Sequence, residues 1–378
     1  MKLLGYILAA VTPVLIFFIY KLLNKRKRLR TFAQKFWDRQ IKQNLNKIDL
    51  ERFDKIPEPY NFMPELESLQ TTIQVVSLSI ELGLFEHLLE KPGITNKQIA
   101  EFMKFSQRPV NALIEVLLAA EVIKTHQNGY ALTDRARFYL LKDSPFFQSL
   151  PPPRIGKRFL RIAKNDKVKG AVNKWKKGKS SAPIRWALKQ HEFSFPLGFA
   201  LYNLGIIEGK NILDVAGGTG AVCIALAQSN PALNLKMIEL PQSVGIAKKI
   251  ITQYGLNDKI ECIGMDMFNN DWPKNNTTIL FTNIFHDWDD NKCRILSKKA
   301  YDALLPGGKI LIQEALLHDD KAGPLWTAHW SMVMALMMEG KQFRFSQLKD
   351  ILETAGFKNV KAQPLLGYYS TVNGVKQN

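Results

Sequence analysis

KNILDVAGGTGAVCIALAQS, residues 210–229, is the stretch whose reading decides the fold. An apolar run carries one acid, Asp214, then meets glycines at 217, 218 and 220, and an apolar helical pattern begins at once. This reads as a strand, a tight turn and a helix. Glycine at such a turn lets the backbone bend sharply and lie close to a ligand. No Gly-Lys-Ser/Thr follows, so the loop is not a Walker-type phosphate loop. With Gly218-Thr219-Gly220 taken as GxG, the third glycine of a dinucleotide fingerprint falls on Cys223, which argues against hydride chemistry.

The same alternation continues on either side. LKMIEL (235–240) is a strand and PQSVGIAKKIITQYG (241–255) a helix; DKIECIG (258–264), TTILFTNIF (277–285) and GGKILIQEAL (307–316) are further strands. Repeated strand–helix units predict an α/β domain over 201–378, a parallel sheet with helices on both faces. Ligands of such sheets bind beyond the carboxyl ends of the strands. Glu239 ends the second strand, where its carboxylate can accept from both hydroxyls of a ribose. Asp266 and Met267 follow the third strand, where an acid and an apolar side chain can flank an adenine. No cluster of lysine and arginine waits for a pyrophosphate. The pocket suits a nucleoside without phosphates.

Charge divides the chain differently. The net charge is +18 over 378 residues. Residues 1–60 hold 13 Lys/Arg against 5 Asp/Glu, residues 154–190 hold 13 against 1, and the remainder is close to neutral. Two basic segments imply a local anionic surface rather than general affinity for nucleic acid. Cys223, Cys262 and Cys293 are far apart and form no CxxC, so neither a metal site nor a disulfide framework is expected.

Residues 3–20, LLGYILAAVTPVLIFFIY, are uncharged, and NKRKRLR (24–30) follows. Extended to Leu23, a helix here spans roughly 31 Å, one hydrocarbon core. The charges follow the apolar run, the reverse of a cleaved signal peptide. The expectation is a single-pass transmembrane anchor over 1–30 with the rest of the chain in the cytoplasm. A linker (31–64) leads to a helical domain over 65–150 with a winged-helix pattern. Thr95 caps the first helix of its pair, and Ser106 with Pro109 starts the second. That second helix, RPVNALIEVLLAAEV, carries one arginine on an aliphatic body, which argues against DNA recognition. The connector over 151–200 opens on three prolines. Within it Val168, Ala171, Val172 and Trp175 recur at helical spacing among lysines, a pattern suited to an anionic leaflet as well as to a solvated linker.

LDVAGGTG (213–220), IELPQSV (238–244), GMDMF (264–268), HDWDDNKC (286–293), LLPGGKILIQEALL (304–317) and GPLWTAHWSMVMALMMEGK (323–341) together carry a resemblance. Over roughly residues 65–370 the chain resembles class I S-adenosylmethionine-dependent O-methyltransferases with an N-terminal winged-helix dimerisation domain. The resemblance implies a Rossmann-like methyltransferase domain, S-adenosyl-L-methionine as cofactor and a homodimer. It implies that Asp214, Gly217, Gly218 and Gly220 line the cofactor loop, that Glu239 holds the ribose, and that Asp266 and Met267 frame the adenine. Thr282 stands on the cofactor side, where many plant members carry lysine. His286 matches the family's general base and Glu314 the first of two glutamates that orient it. The second glutamate is replaced by Gln342, with Glu339 three residues earlier, and Ala216 replaces the first glycine of the usual triplet.

An imidazole of ordinary pKa near ~6.5 is largely neutral in the cytosol and can take a hydroxyl proton. Asp287, Asp289 and Asp290 read as acids at a helix N-terminus. WTAHWSMVMALMME (326–339) implies, by resemblance, an acceptor pocket that includes Trp330, Met334 and Met338. With the anchor, this predicts a small lipophilic acceptor of polyketide, quinone, carotenoid or phenol type. Two other readings are a catalytically silent cofactor-binding assembly factor, suggested by Gln342 and Ala216, and a membrane-tethered winged-helix regulator.

Overall fold

The computed structural model describes residues 62–166, 168, 182–319 and 323–377. The expected transmembrane helix and its basic flank, and residues 169–181 of the connector with Ala171, Val172 and Trp175, lie outside the described residues. Among the described residues no single helix is long and apolar enough to cross a membrane.

The helical part begins with α1 (Phe62–Glu81), α2 (Leu84–Glu90), α3 (Asn96–Met103) and α4 (Gln107–Ala119). Thr95 caps α3 through a reciprocal pair: Gln98 N–H donates to Thr95 Oγ1 at 3.4 Å, and Thr95 N–H donates to Gln98 Oε1 at 2.8 Å. Ser106 occupies the N-cap of α4 without a side-chain cap bond. The wing is a hairpin of β1 (Ile123–His126) and β2 (Gly129–Leu132), followed by α5 (Asp134–Tyr139). A further helix, α6 (Gly156–Ala163), sits in sequence within the connector but packs Phe159, Ile162 and Ala163 into this same core.

Helix α4 occupies the place of a recognition helix, yet Val110, Leu113, Val116 and Leu117 on it are fully buried. They pack against α11 (Leu325–Met337) of the catalytic domain, whose Ala328, Met332, Ala335 and Leu336 complete the helical core. An apolar helix buried in this way cannot enter a DNA groove.

The catalytic domain follows α7 (Ala182–Asn203). It alternates β3 (Asn211–Val215), α8 (Ala221–Ser229), β4 (Asn234–Glu239), α9 (Val244–Gln253), β5 (Ile260–Gly264) and β6 (Asn276–Thr282). Then come α10 (Asp290–Ala303), β7 (Leu304–Ala315), α11, α12 (Phe345–Thr354), β8 (Lys358–Leu366) and β9 (Tyr369–Val375). The seven strands lie in the order β5-β4-β3-β6-β7-β9-β8. The first five are parallel; β9 enters antiparallel between β7 and β8. The predicted strands are therefore all present, and the antiparallel pair at the far edge was not anticipated.

A polar seam joins the two parts. The last turn of α11 leaves carbonyls without helical partners. Arg108 of α4 donates to the Met334, Ala335 and Gly340 carbonyls at 3.2–3.4 Å, and Arg158 of α6 donates to Leu336 at 3.1 Å. Arg344 meets Glu115 at 3.3 Å, both nearly buried.

The turn between β3 and α8 has a steric signature. Ala216 holds a left-handed backbone, φ 56, as do Gly218 and Gly220. A Cβ at Gly217 would lie 2.7 Å from Asp214 Oδ2. Ala216 thus takes the conformation a glycine would take, at a cost of about 1 kcal/mol. Ala216→Gly is expected to raise the denaturation midpoint, by up to about 1 kcal/mol in unfolding free energy; a lowered midpoint would show the strain to be absent.

Candidate active site

Carboxylates stand at or beyond the ends of three adjacent strands. Asp214 is buried on β3 with Oδ1 unpartnered and Oδ2 3.6 Å from the Cys223 thiol. Burial pushes its carboxyl up to about 7, and the charge of Glu239 adds to the effect. Glu239, ending β4, accepts from Gly218 N–H at 3.0 Å and Leu240 N–H at 2.7 Å, so it braces the glycine turn. Burial raises its pKa against the pull of those two bonds. Beyond β5, Asp266 accepts from Phe268 N–H and from the Asn269 amide, both at 3.0 Å, while Met267 turns into the core.

These residues fit a cationic nucleoside. The unpartnered buried oxygen of Asp214 and the desolvated carboxylates favour a cation, and the space above Gly218 is open, since an added Cβ would meet nothing within 4 Å. His191 of α7 supports the turn from the other side. It is buried, its Nδ1 lies 2.8 Å from Thr219 Oγ1, and burial depresses its pKa to about 4, which keeps it neutral.

His286 lies in a short 3-10 turn, Phe285–Asp287, just after β6. Its Nδ1 is 2.7 Å from Glu314 Oε2, and its backbone N–H donates to Glu314 Oε1 at 3.2 Å. Glu314 is fully buried on β7. The Gln342 amide reaches to 3.2 Å from the same Nδ1. With the Nδ1 proton facing Glu314, that contact is favourable only with the amide oxygen, rather than its nitrogen, toward the ring. Gly340 closes the loop, since a Cβ there would overlap the His286 carbonyl oxygen.

The imidazole is not an ordinary one. Burial alone pushes its pKa down. The charge and hydrogen bond of Glu314, with Asp287 behind them, outweigh burial and carry it up to about 9. The expectation of a largely neutral ring is corrected on that ground. Asp287 is also corrected. It does not serve a helix N-terminus; it is mostly buried with Oδ1 3.5 Å from His286 Nε2, and burial lifts its pKa to about 7. Asp289 is the true cap of α10, accepting from Lys292 N–H at 2.9 Å. Glu339 pairs with Lys292 at the surface and does not reach the histidine.

A narrow cavity opens beside His286, lined also by Gln190, Asn283, Ala315, Trp326, Trp330, Gln342 and Tyr369. The Trp330 ring runs nearly parallel to the imidazole at 6.5 Å. Met334 and Met338 are buried and are not part of this lining, while Ala328, Met332, Ala335 and Leu336 of the same helix pack into the helical core. Thr282 donates its hydroxyl to Gln313 Oε1 at 2.7 Å instead of toward the cofactor loop. Sequence reasoning missed Asn283, Trp326, Asp287 and His191. The left-handed φ of 57 at Asn283 has no sequence signature beyond the tolerance of asparagine for it.

Comparison with known proteins agrees with this geometry. The O-methyltransferase domain family matches residues 196–358, and the O-methyltransferase dimerisation domain matches residues 69–142. The 3-hydroxy-5-methyl-1-naphthoate 3-O-methyltransferase of Streptomyces sahachiroi is 26% identical over 326 residues, 80% of this chain and 91% of that one. Human acetylserotonin O-methyltransferase is 26% identical over 322 residues, 79% of this chain and 92% of its own. The structure of an O-methyltransferase family 2 protein from Planctomyces limnophilus, complexed with apigenin, superposes with a TM-score of 0.71. Its identity is 22%, with 85% of this chain and 98% of that one covered, and it shows the shared fold. The chain belongs to the S-adenosylmethionine-dependent O-methyltransferases that carry an N-terminal dimerisation domain.

Proposed function

We propose that the chain is a membrane-anchored, homodimeric O-methyltransferase, its catalytic domain in the cytoplasm, which methylates a hydroxyl of a small lipophilic acceptor with His286 as general base. The observation that carries this reading is the His286–Glu314 pair, buried at a strand end and opening on a cavity walled by Trp326 and Trp330. S-adenosylmethionine supplies a methyl group on a cationic sulfur, and that charge also favours the neutral imidazole. Asp214, Glu239, Asp266 and the 217–220 turn hold it in this reading. Nε2 of His286 takes the hydroxyl proton, at 3.5 Å too far from Asp287 for a good hydrogen bond. Glu314 fixes the ring through Nδ1 and stabilises the imidazolium that forms.

Two observations weaken the alternatives. Gln342 contacts the imidazole, and Ala216 adopts the backbone of the glycine it replaces, so neither departure dismantles the site. The burial of α4 removes the surface a DNA-binding regulator would need. Support for the homodimer comes from α1, where Phe62, Leu66, Leu69 and Ile73 form an exposed apolar stripe at helical spacing. Support for the anchor comes from residues 3–20 and the basic run after them.

The direct test follows radiolabel from S-adenosylmethionine into lipid extracted from the native membrane. His286→Ala is expected to lower turnover about 10²–10⁴-fold while cofactor binding, read by calorimetry, is retained. Equal labelling by both proteins would point to a carbon or an already ionised acceptor. The raised imidazole also sets a pH dependence. Because its charged form is favoured in the fold, the pair stabilises the protein below pH 6.5, and this contribution is lost as pH rises through about 9. The neutral base gains as pH rises, so kcat/KM for the acceptor should climb with pH and level off below about 9, because the bound sulfonium favours the neutral ring. Glu314→Gln removes the main raising influence and should shift that limb to lower pH; an unmoved limb would exclude His286 as the titrating base. Deleting residues 1–30 is expected to move the protein from the membrane pellet to the supernatant as a dimer, by fractionation and light scattering. A pelleted product would refute the anchor, and a monomer would refute the dimer.

A further inference from the structure

The cavity beside His286 holds two hydrogen-bond donors that the protein leaves unanswered. Asn283 follows the last residue of β6 in a left-handed conformation, pinned where its backbone N–H donates to the Gln313 carbonyl at 3.1 Å. Its side-chain Nδ2 is buried and has no partner among the described residues. Trp326, 2% exposed at the start of α11, likewise buries Nε1 without a partner. Both residues line the same cavity as the imidazole. Each unanswered donor has lost its water without a replacement partner, and strained, unsatisfied groups of this kind gather where a ligand completes them.

The chemistry of the lining narrows the choice. Asparagine and tryptophan N–H groups are neutral donors. Besides His286 and Tyr369 nothing in the lining titrates, and no lysine or arginine is among it. A carboxylate placed there would lack a fixed cation, whereas a carbonyl oxygen would be satisfied by two N–H groups.

We infer that the acceptor carries a carbonyl oxygen adjacent to the hydroxyl that is methylated, and that Asn283 and Trp326 are the residues that select it. This rests on the reading of His286 as the hydroxyl's partner. The arrangement suits the reaction as well as recognition. When the hydroxyl gives its proton to His286, the O–H electron pair remains on oxygen and spreads through the conjugated carbonyl. N–H donors that bond that carbonyl would hold the developing charge. Ortho- or peri-hydroxy ketones and hydroxyquinones have this form; a hydroxyl on a plain hydrocarbon chain does not.

The test measures binding to the full chain in detergent, with S-adenosylhomocysteine present, by calorimetry. The probes are ortho-hydroxyacetophenone, ortho-ethylphenol, which lacks only the carbonyl oxygen, and salicylate. Wild type should bind the ketone about 10-fold more tightly than ortho-ethylphenol, as one well-made buried hydrogen bond allows. Asn283→Asp keeps the left-handed backbone but turns the donor into an acceptor. It should weaken the ketone about 10-fold and leave ortho-ethylphenol unchanged. Trp326→Phe removes the indole N–H together with the volume of one ring, so its readout is the ratio of ketone to ortho-ethylphenol affinity, which should fall; this serves if the first variant does not fold. Equal affinity for ketone and ethylphenol in wild type, no binding of the ketone at millimolar concentration, or an equal loss for both probes in the variants would overturn the inference. Tighter binding of salicylate than of the ketone would overturn the neutral-carbonyl assignment. Because no turnover is involved, a ketone preference that persists in His286→Ala separates this result from failure of the general-base reading.

Discussion

A carboxylate with no access to solvent, Glu314 near the end of β7, is the constraint from which the rest of the site follows. A buried charge is tolerated only when it is paired and hydrogen-bonded. His286 supplies both, through its ring and its backbone N–H. Holding that histidine requires the chain to leave β6 in a tight 3-10 turn, and Asn283 takes its left-handed conformation just before it. The loop after α11 must then pass so close to His286 that only glycine fits at 340. Two residues later Gln342 reaches the imidazole.

That loop is held from outside the catalytic domain. Arg108 and Arg158, on helices of the N-terminal part, cap the carbonyls at the end of α11 and the one at Gly340. On α11, Ala328 and Met332 fill the helical core, while Trp326 and Trp330 wall the acceptor cavity. A domain that by itself resembles a DNA-binding module thus acts here as a clamp on the catalytic loop. Its apolar second helix makes sense as the surface α11 packs against.

Much of this was legible in the sequence because it is local. A strand ending in Asp214 and three glycines, and an acid ending the next strand at Glu239, are set by a few neighbouring residues. Their positions at one sheet edge follow from parallel topology. Glu314 and Gln342 were reachable only through resemblance, since nothing in the spacing of 28 or 56 residues says that they meet His286. The methionines of α11 misled for a related reason. Periodicity identifies an apolar helix but not which side faces a ligand and which a neighbouring domain. Met334 and Met338 are buried outside the cavity lining, and the tryptophans do the lining. Asp287 illustrates the converse. An acid just before a helix looks like a cap, yet the chain caps α10 with Asp289 and buries Asp287 against the imidazole.

The electrostatics of the two half-sites differ in sign and in purpose. On the cofactor side, Asp214 and Glu239 are desolvated carboxylates whose proton affinity is raised by burial, with no lysine or arginine among the causes that offset it. Such groups destabilise the empty site and are relieved by a bound cation, which is what a sulfonium-bearing nucleoside brings. Beside the imidazole the charge is already balanced within the protein, imidazole against Glu314 and Asp287, and the unanswered groups of the cavity lining include the neutral N–H donors of Asn283 and Trp326. Under the proposed reading, such a site discriminates its two substrates by charge before shape, with His286 beside the cavity that the acceptor hydroxyl would enter.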